Sequence, residues 1–158
     1  MKKAGIKTMT ENNIIIKYTQ AVSCLPERIG SILQNAVPSS IKIQVQEVRL
    51  RIGQPVMLTT AERQYFLDSQ SGISYKVTSG CPVATAYDLS ETFKAVCGYS
   101  VHSRQNEIKN GFVTIKGGHR VGICGTAVYE NGVLTTIRDI SSLNIRIARE
   151  IQNLSLPF

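Results

Sequence analysis

Three arginines, Arg120, Arg138 and Arg146, fall at strand positions within one alternating stretch, Gly111 to Glu150. A guanidinium is planar and permanently charged, and its fork of N–H donors can hold phosphate or carboxylate oxygens two at a time. Arginines presented together by one sheet could therefore bind an anion or stabilise charge in an active site. No catalytic constellation accompanies them. There is no GxSxG elbow and no HExxH, and the 2 histidines fall in different elements. The phosphate loop G-x-x-x-x-G-K-[ST] is absent, so this chain does not cradle and hydrolyse a nucleoside triphosphate by that route. Lys116-Gly-Gly-His-Arg120 sets a glycine turn among three potentially cationic side chains. Spacing favours an ordinary hairpin with a solvated basic rim over a loop that approaches an anion. Gly122-Ile-Cys-Gly125 matches the GxxG of KH domains, but it interrupts a strand instead of joining two helices, and so marks a bulge or a close packing point. Cys97, His102, His119 and Cys124 match no usual zinc spacing, and no metal site is expected.

The elements that must position the arginines follow from alternation and turn residues. Phe112 to Lys116 reads as a strand, Gly117-Gly118 as a tight reversal, and His119 to Tyr129 as a second strand. Val133 to Arg138 and Asn144 to Arg149 read as a third and a fourth. The loop between Tyr129 and Val133 decides the register. A two-residue Asn131-Gly132 loop pairs Tyr129 with Leu134 and puts Arg138 on the face opposite Arg120. A three-residue Glu130-Asn131-Gly132 loop pairs Tyr129 with Val133, gathers Val121, Ile123, Ala127, Tyr129, Val133 and Ile137 on one apolar face, and leaves Arg120 and Arg138 together on the other. Burial favours the three-residue loop.

Upstream, residues 1–22 read as a mobile leader, polar and without sustained periodicity. Ser23 to Val37 reads as a helix capped by Ser23, with Ile29, Ile32, Leu33 and Ala36 at helical spacing, ended by Pro38-Ser39-Ser40. Ile41, Ile43 and Val45 alternate on odd positions and Val48, Leu50 and Ile52 on even ones, which implies a bulge near Gln46-Glu47. From Glu47 the strand projects Glu47, Arg49 and Arg51 together, away from its apolar residues. Val56–Thr60 and Tyr65–Leu67 complete a smaller meander, with Asp68–Gly72 as loop and a short strand near Ser74–Thr78. Thr85–Cys97 reads as a helix with Leu89, Phe93, Ala95 and Val96 buried, and Ser100–Asn110 as another. The class is α+β: antiparallel meanders with two or three helices packed on one face.

Composition narrows the partners. The chain has 158 residues, 42% of them hydrophobic and 18% charged, which suits one globular domain and excludes a disordered chain. The net charge of +7 favours an acidic partner, nucleic acid and nucleotide phosphates among them, although a basic protein can owe nothing more than solubility to that charge. The 4 cysteines have no CxxC spacing and read as reduced thiols of a cytosolic protein. Ile14-Ile15-Ile16 is too short for a signal peptide, and no run approaches the ~20 apolar residues of a membrane helix. Membrane association would come through a partner.

EVRLRIGQPVML (Glu47 to Leu58), SRQNEIKNGFVTIKGGHRVGICGTAV (Ser103 to Val128) and IRDISSLNIRIARE (Ile137 to Glu150) closely resemble the amino-terminal part of the stage III sporulation protein AA family. The resemblance covers roughly Leu25 to Glu150. It implies a PAS-like α+β domain preceding the RecA-like motor of a secretion-type ATPase of the type II and type IV pilus class. The chain reaches Phe158 just where that motor would begin, so 151–158 reads as a linker, and the chain as a fragment or a short homologue. ATP and Mg²⁺ would belong to the motor, with no cofactor bound by this chain. The resemblance further implies a hexameric ring in the mother-cell cytoplasm, docked on membrane-anchored sporulation channel proteins. In such a ring this domain packs on its own and neighbouring motor domains. Arg120 and Arg138 match positions that reach nucleotide across the subunit interface, with Arg146 a further candidate; Arg49, Arg51, Lys116 and His119 are interface candidates. The alternative is a basic nucleic-acid-binding module, the less expected of the two.

Overall fold

The computed structural model describes residues 2–149. Two antiparallel meanders are present: β1 (Val45–Arg51), β2 (Met57–Thr60), β3 (Gln64–Asp68) and β4 (Gly72–Ser74) form one, and β5 (Phe112–Ile115), β6 (His119–Glu130) and β7 (Val133–Arg146) the other, Val133–Arg138 and the start of the expected Asn144–Arg149 strand being one continuous strand instead of two. Pairing of β1 with β7 fuses them into a single antiparallel sheet of 7 strands, ordered β4-β3-β2-β1-β7-β6-β5. Around it stand α1 (Lys2–Val22), α2 (Glu27–Asn35), α3 (Ser39–Lys42), α4 (Ala86–Val96) and α5 (Gln105–Lys109), the last preceded by a 3₁₀ turn at His102–Arg104.

Alternation assigns the two faces of the sheet. Val48, Leu50, Leu58, Tyr65, Leu67, Val113, Val121, Leu143 and Ile145 are buried in one core with Tyr18, Leu33, Leu89 and Phe93 of the helices. Their neighbours on the opposite face, among them Glu47, Arg49, Arg120, Asn144 and Arg146, are half-buried or exposed. Such a one-sided core suits an antiparallel sheet. The parity switch before Val48 is a register shift between Val45 and Glu47, as expected, but Ile41 lies in α3 and Ile43 at its C-cap, not in a strand.

Three local expectations give way. The leader is helix α1, whose last turns bury Tyr18, Ala21 and Val22 completely. Ile14, Tyr18, Ala21 and Leu25 recur at three- and four-residue steps, an apolar stripe too sparse to stand out among the polar residues. The next helix starts at Glu27 behind Pro26, with no side-chain cap, so Ser23 does not cap it. The strand sought near Ser74–Thr78 is instead β4, whose first residue, Gly72, has φ +85°. A Cβ on Gly72 would stand 2.7 Å from the carbonyl carbon of Ala36, which is backbone and cannot rotate aside. Gly72→Ala should therefore cost about 3 kcal/mol, strain in the left-handed region plus overpacking, as read by urea unfolding.

α4 shows how the helical layer is pinned. Thr85 and Asp88 form a capping box: Thr85 Oγ1 accepts the Asp88 N–H at 3.2 Å and Asp88 Oδ2 accepts the Thr85 N–H at 2.8 Å. Arg28 of α2 pairs with the same carboxylate and donates to the Val83 carbonyl, tying α2 to the start of α4.

Candidate functional site

The β6–β7 register determines which arginines meet. The connection is the two-residue Asn131-Gly132 loop, with φ of +51° and +79°, and Tyr129 pairs with Leu134; the three-residue loop expected from burial is not formed. An Asn-Gly pair takes two positive φ angles readily, and the primed turn they make matches strand twist. A shift between Val128 and Tyr129 then inserts one extra residue in β7, so that Arg138 pairs with Thr126. The bulge, not the loop, thus restores the even-numbered pairing that would set Arg138 on the side of Arg120. A second shift, between Cys124 and Thr126, falls where Asp139 has φ +51°, and beyond it Arg120 pairs directly with Arg146.

Arg120 and Arg138 are consequently not neighbours. Thr126, the partner of Arg138, lies six residues along β6 from Arg120, about 20 Å at strand rise. Arg138 instead lines a cleft of about 420 Å³ with Ile52, Ala86, Ser90 and Ile140. Arg146 takes the place beside Arg120. The arginine directly opposite Arg120 in the register is thus Arg146, not Arg138.

Around this pair the open face reads across the sheet as Thr59, Glu47, Arg146, Arg120, Thr114, with a neighbouring row Met57, Arg49, Asn144, Gly122, Phe112. Glu47 Oε1 lies 3.4 Å from Arg49 Nε and its Oε2 3.8 Å from Arg146 Nε. Arg120 stacks on Phe112, its guanidinium carbon 4.9 Å from the ring centroid. Arg51, opposite Ser142, is exposed at the end of the same face. Like charges directly opposite on paired strands are unfavourable, and a single carboxylate serves Arg49 and Arg146, while Arg120 rests on Phe112. Among the described residues, Thr59 Oγ1 and Asn144 Oδ1 on this face are buried without a hydrogen bond, and Arg49 Nε has only the longer ion pair with Glu47.

Two interface candidates separate. Lys116 is exposed and borders a cleft of about 400 Å³ with Arg104, Tyr99 and Gln20. His119 is fully buried and is not available to a partner. Its Nδ1 accepts the Ala148 N–H at 2.9 Å, which places the ring proton on Nε2, 3.3 Å from Gln20 Oε1. Lys17 donates to the Gly117 carbonyl at 2.9 Å. A Cβ on Gly117 would fall 2.6 Å from His119 Nε2 and also against Gln20 of α1, so a glycine here lets the turn approach α1.

Burial, and the nearby Lys17 ammonium, hold the His119 pKa below its usual value of 6.5. The unfolded chain therefore binds a proton that the folded one resists, and stability is full above the unfolded pKa. It should fall as pH drops below about 6.5, toward the lower folded value. Urea unfolding at pH 7.5 and 5.5 checks this, and His119→Gln should flatten the difference.

All four cysteines are unpaired, Cys97 buried and Cys124 exposed. Burial pushes the Cys24 thiol up to about 12 and the Cys97 thiol to about 11, so neither is a nucleophile at neutral pH. Among the described residues no three His, Cys, Asp or Glu side chains come together as a metal ligand set, and no helix is long and apolar enough to cross a membrane.

Sequence reasoning had placed Glu47 beside Arg49 but missed its link to Arg146, because that link depends on which β7 residue faces β1. It also missed Arg149, whose guanidinium donates to the Ile43 and Val45 carbonyls at 2.9 and 2.6 Å and closes the start of β1.

Comparison with known proteins brings one family forward. The family model described as sporulation stage III, protein AA matches residues 16–157. "Stage III sporulation protein AA" of Bacillus subtilis (strain 168) is 36% identical over 133 residues, which is 84% of this chain and 39% of that relative's length. No solved structure matches the chain.

Proposed function

We propose a function on the premise those matches establish: the chain belongs to the sporulation stage III, protein AA family. The proposed role is that of a regulatory and assembly domain of a secretion-type ATPase, supplying arginines to a nucleotide held by an adjacent motor domain. The observation that carries it is the direct cross-strand pairing of Arg120 with Arg146 on the open face. Two arginines directly opposite on neighbouring strands bring two permanent positive charges to one face, which suits the oxygens of a polyphosphate. In phosphoryl transfer such groups act by neutralising charge that builds on the transferred phosphoryl, without proton chemistry of their own. Motor, ATP and Mg²⁺ would come from the rest of the assembly, a homo-hexameric ring on the mother-cell side, reaching the membrane through channel proteins. ATP hydrolysis by a full-length family protein carrying this domain tests the role, and unchanged turnover in the Arg120→Ala/Arg146→Ala double variant rejects it.

One observation favours a second reading. Phe112 beneath Arg120, on an open basic sheet, also suits a stacked base of single-stranded nucleic acid. Titration with single-stranded nucleic acid at two salt concentrations separates the readings, because phosphate contacts give a steep salt dependence. No binding at low salt eliminates this one.

A further inference from the structure

Glu47 is the one carboxylate in the arginine rows, and we infer that it is a displaceable internal counter-ion: it holds Arg146 while the site is empty and yields it to an arriving phosphate. The inference rests on the proposed role of the open face. Glu47 sits beside Arg146 on the paired strand β1, and Arg146 sits beside Arg120 on β6, so the row runs carboxylate, guanidinium, guanidinium. The Glu47 side chain is 19% exposed and that of Arg146 77% exposed. The carboxylate is thus fixed low on the sheet while the guanidinium stands out from it. At 3.8 Å from Arg146 Nε and 3.4 Å from Arg49 Nε, the Glu47 oxygens are shared between the two arginines and hold neither by a close hydrogen bond. Arg120 has an aromatic ring beneath it and no carboxylate partner among the described residues. The cluster is therefore short of negative charge.

A phosphate settling over Arg146 and Arg120 competes with Glu47 for Arg146 and is repelled by the Glu47 carboxylate. Glu47 is accordingly a positioning residue that sets the affinity threshold. It admits multiply charged phosphates, whose attraction to two arginines outweighs the repulsion, and disfavours singly charged anions.

Inorganic pyrophosphate, titrated into the chain at low ionic strength and followed by amide NMR shifts in β6 and β7, tests this. Glu47→Gln and Glu47→Ala should each bind it about fivefold more tightly than the unaltered chain, the effect of removing one surface ion pair. A merely structural role predicts weaker binding instead. Equal or weaker binding overturns the inference, while the arginine site still stands if Arg146→Ala abolishes binding. In the unaltered chain the side-chain carboxylate carbon resonance of Glu47 should shift on saturation. A stationary resonance overturns the inference even where the variants do not fold. If neither the chain nor its variants bind pyrophosphate, the counter-ion role and the phosphate reading of the face fall together.

Discussion

Arg146→Ala, in a full-length family protein carrying this domain, is expected to lower ATP turnover about a thousandfold, the lower end of what an arginine supplied in trans contributes. The loss should appear in kcat, with KM for ATP nearly unchanged, because the guanidinium matters most when charge builds on the transferred phosphoryl. Arg146 should matter more than Arg120 because its side chain is 77% exposed and stands out from the sheet. Arg120, stacked on Phe112, should cost less, about tenfold to a hundredfold. Arg138→Ala should stay within about twofold of wild type, since a site built on Arg146 and Arg120 lies about 20 Å away along the strand. Steady-state kinetics on the three variants, with assembly checked by light scattering, reads all of this. A severe loss at Arg138 with full activity at Arg146 would reverse the assignment.

Tyr18→Ala should destabilise the fold by about 3–5 kcal/mol, the range for removing a large buried aromatic side chain. Tyr18 is fully buried, and its hydroxyl donates to the Leu33 carbonyl at 2.6 Å, a carbonyl near the end of α2 that needs a partner. Alanine would leave both a cavity and an unpaired acceptor. Burial also raises the phenol pKa above its usual 10, so the hydroxyl stays a donor throughout the physiological range. Tyr18→Phe isolates the hydrogen bond and should cost about 1–2 kcal/mol. Urea unfolding of the two variants gives the numbers. A chain truncated before Thr19 that unfolds at the same denaturant concentration as the intact one would show that α1 is the dispensable leader its sequence suggested.

The contrast between α1 and the open face shows what a sequence discloses. Glu47, Arg49 and Arg51 alternate with Val48 and Leu50, so their common face was legible from period alone. The two meanders were legible from glycine turns and alternation for the same reason. The partner of Arg120 was not, because it depends on two irregularities in β7, and a one-residue insertion changes every pairing beyond it. Only Asn131-Gly132 signalled the true loop, and weighing it by burial alone favoured the wrong count. His119 read as a cation beside a loop because nothing local reveals that Gln20, 99 positions away, and Ala148 enclose it. Helix α1 was missed since its buried stripe, ending in Tyr18, Ala21 and Val22, is set among polar residues that suggested solvent on every side. Long-range contact decided His119 and α1, whereas the loop followed the local preference of Asn131-Gly132.

The structure of the full-length assembly with a non-hydrolysable ATP analogue tests the trans-arginine role most directly. The Arg146 guanidinium, or that of Arg120, should lie within about 3 Å of a phosphate oxygen on the neighbouring motor domain. An open face turned to solvent, with the phosphates ringed only by residues of the motor domains themselves, would contradict it.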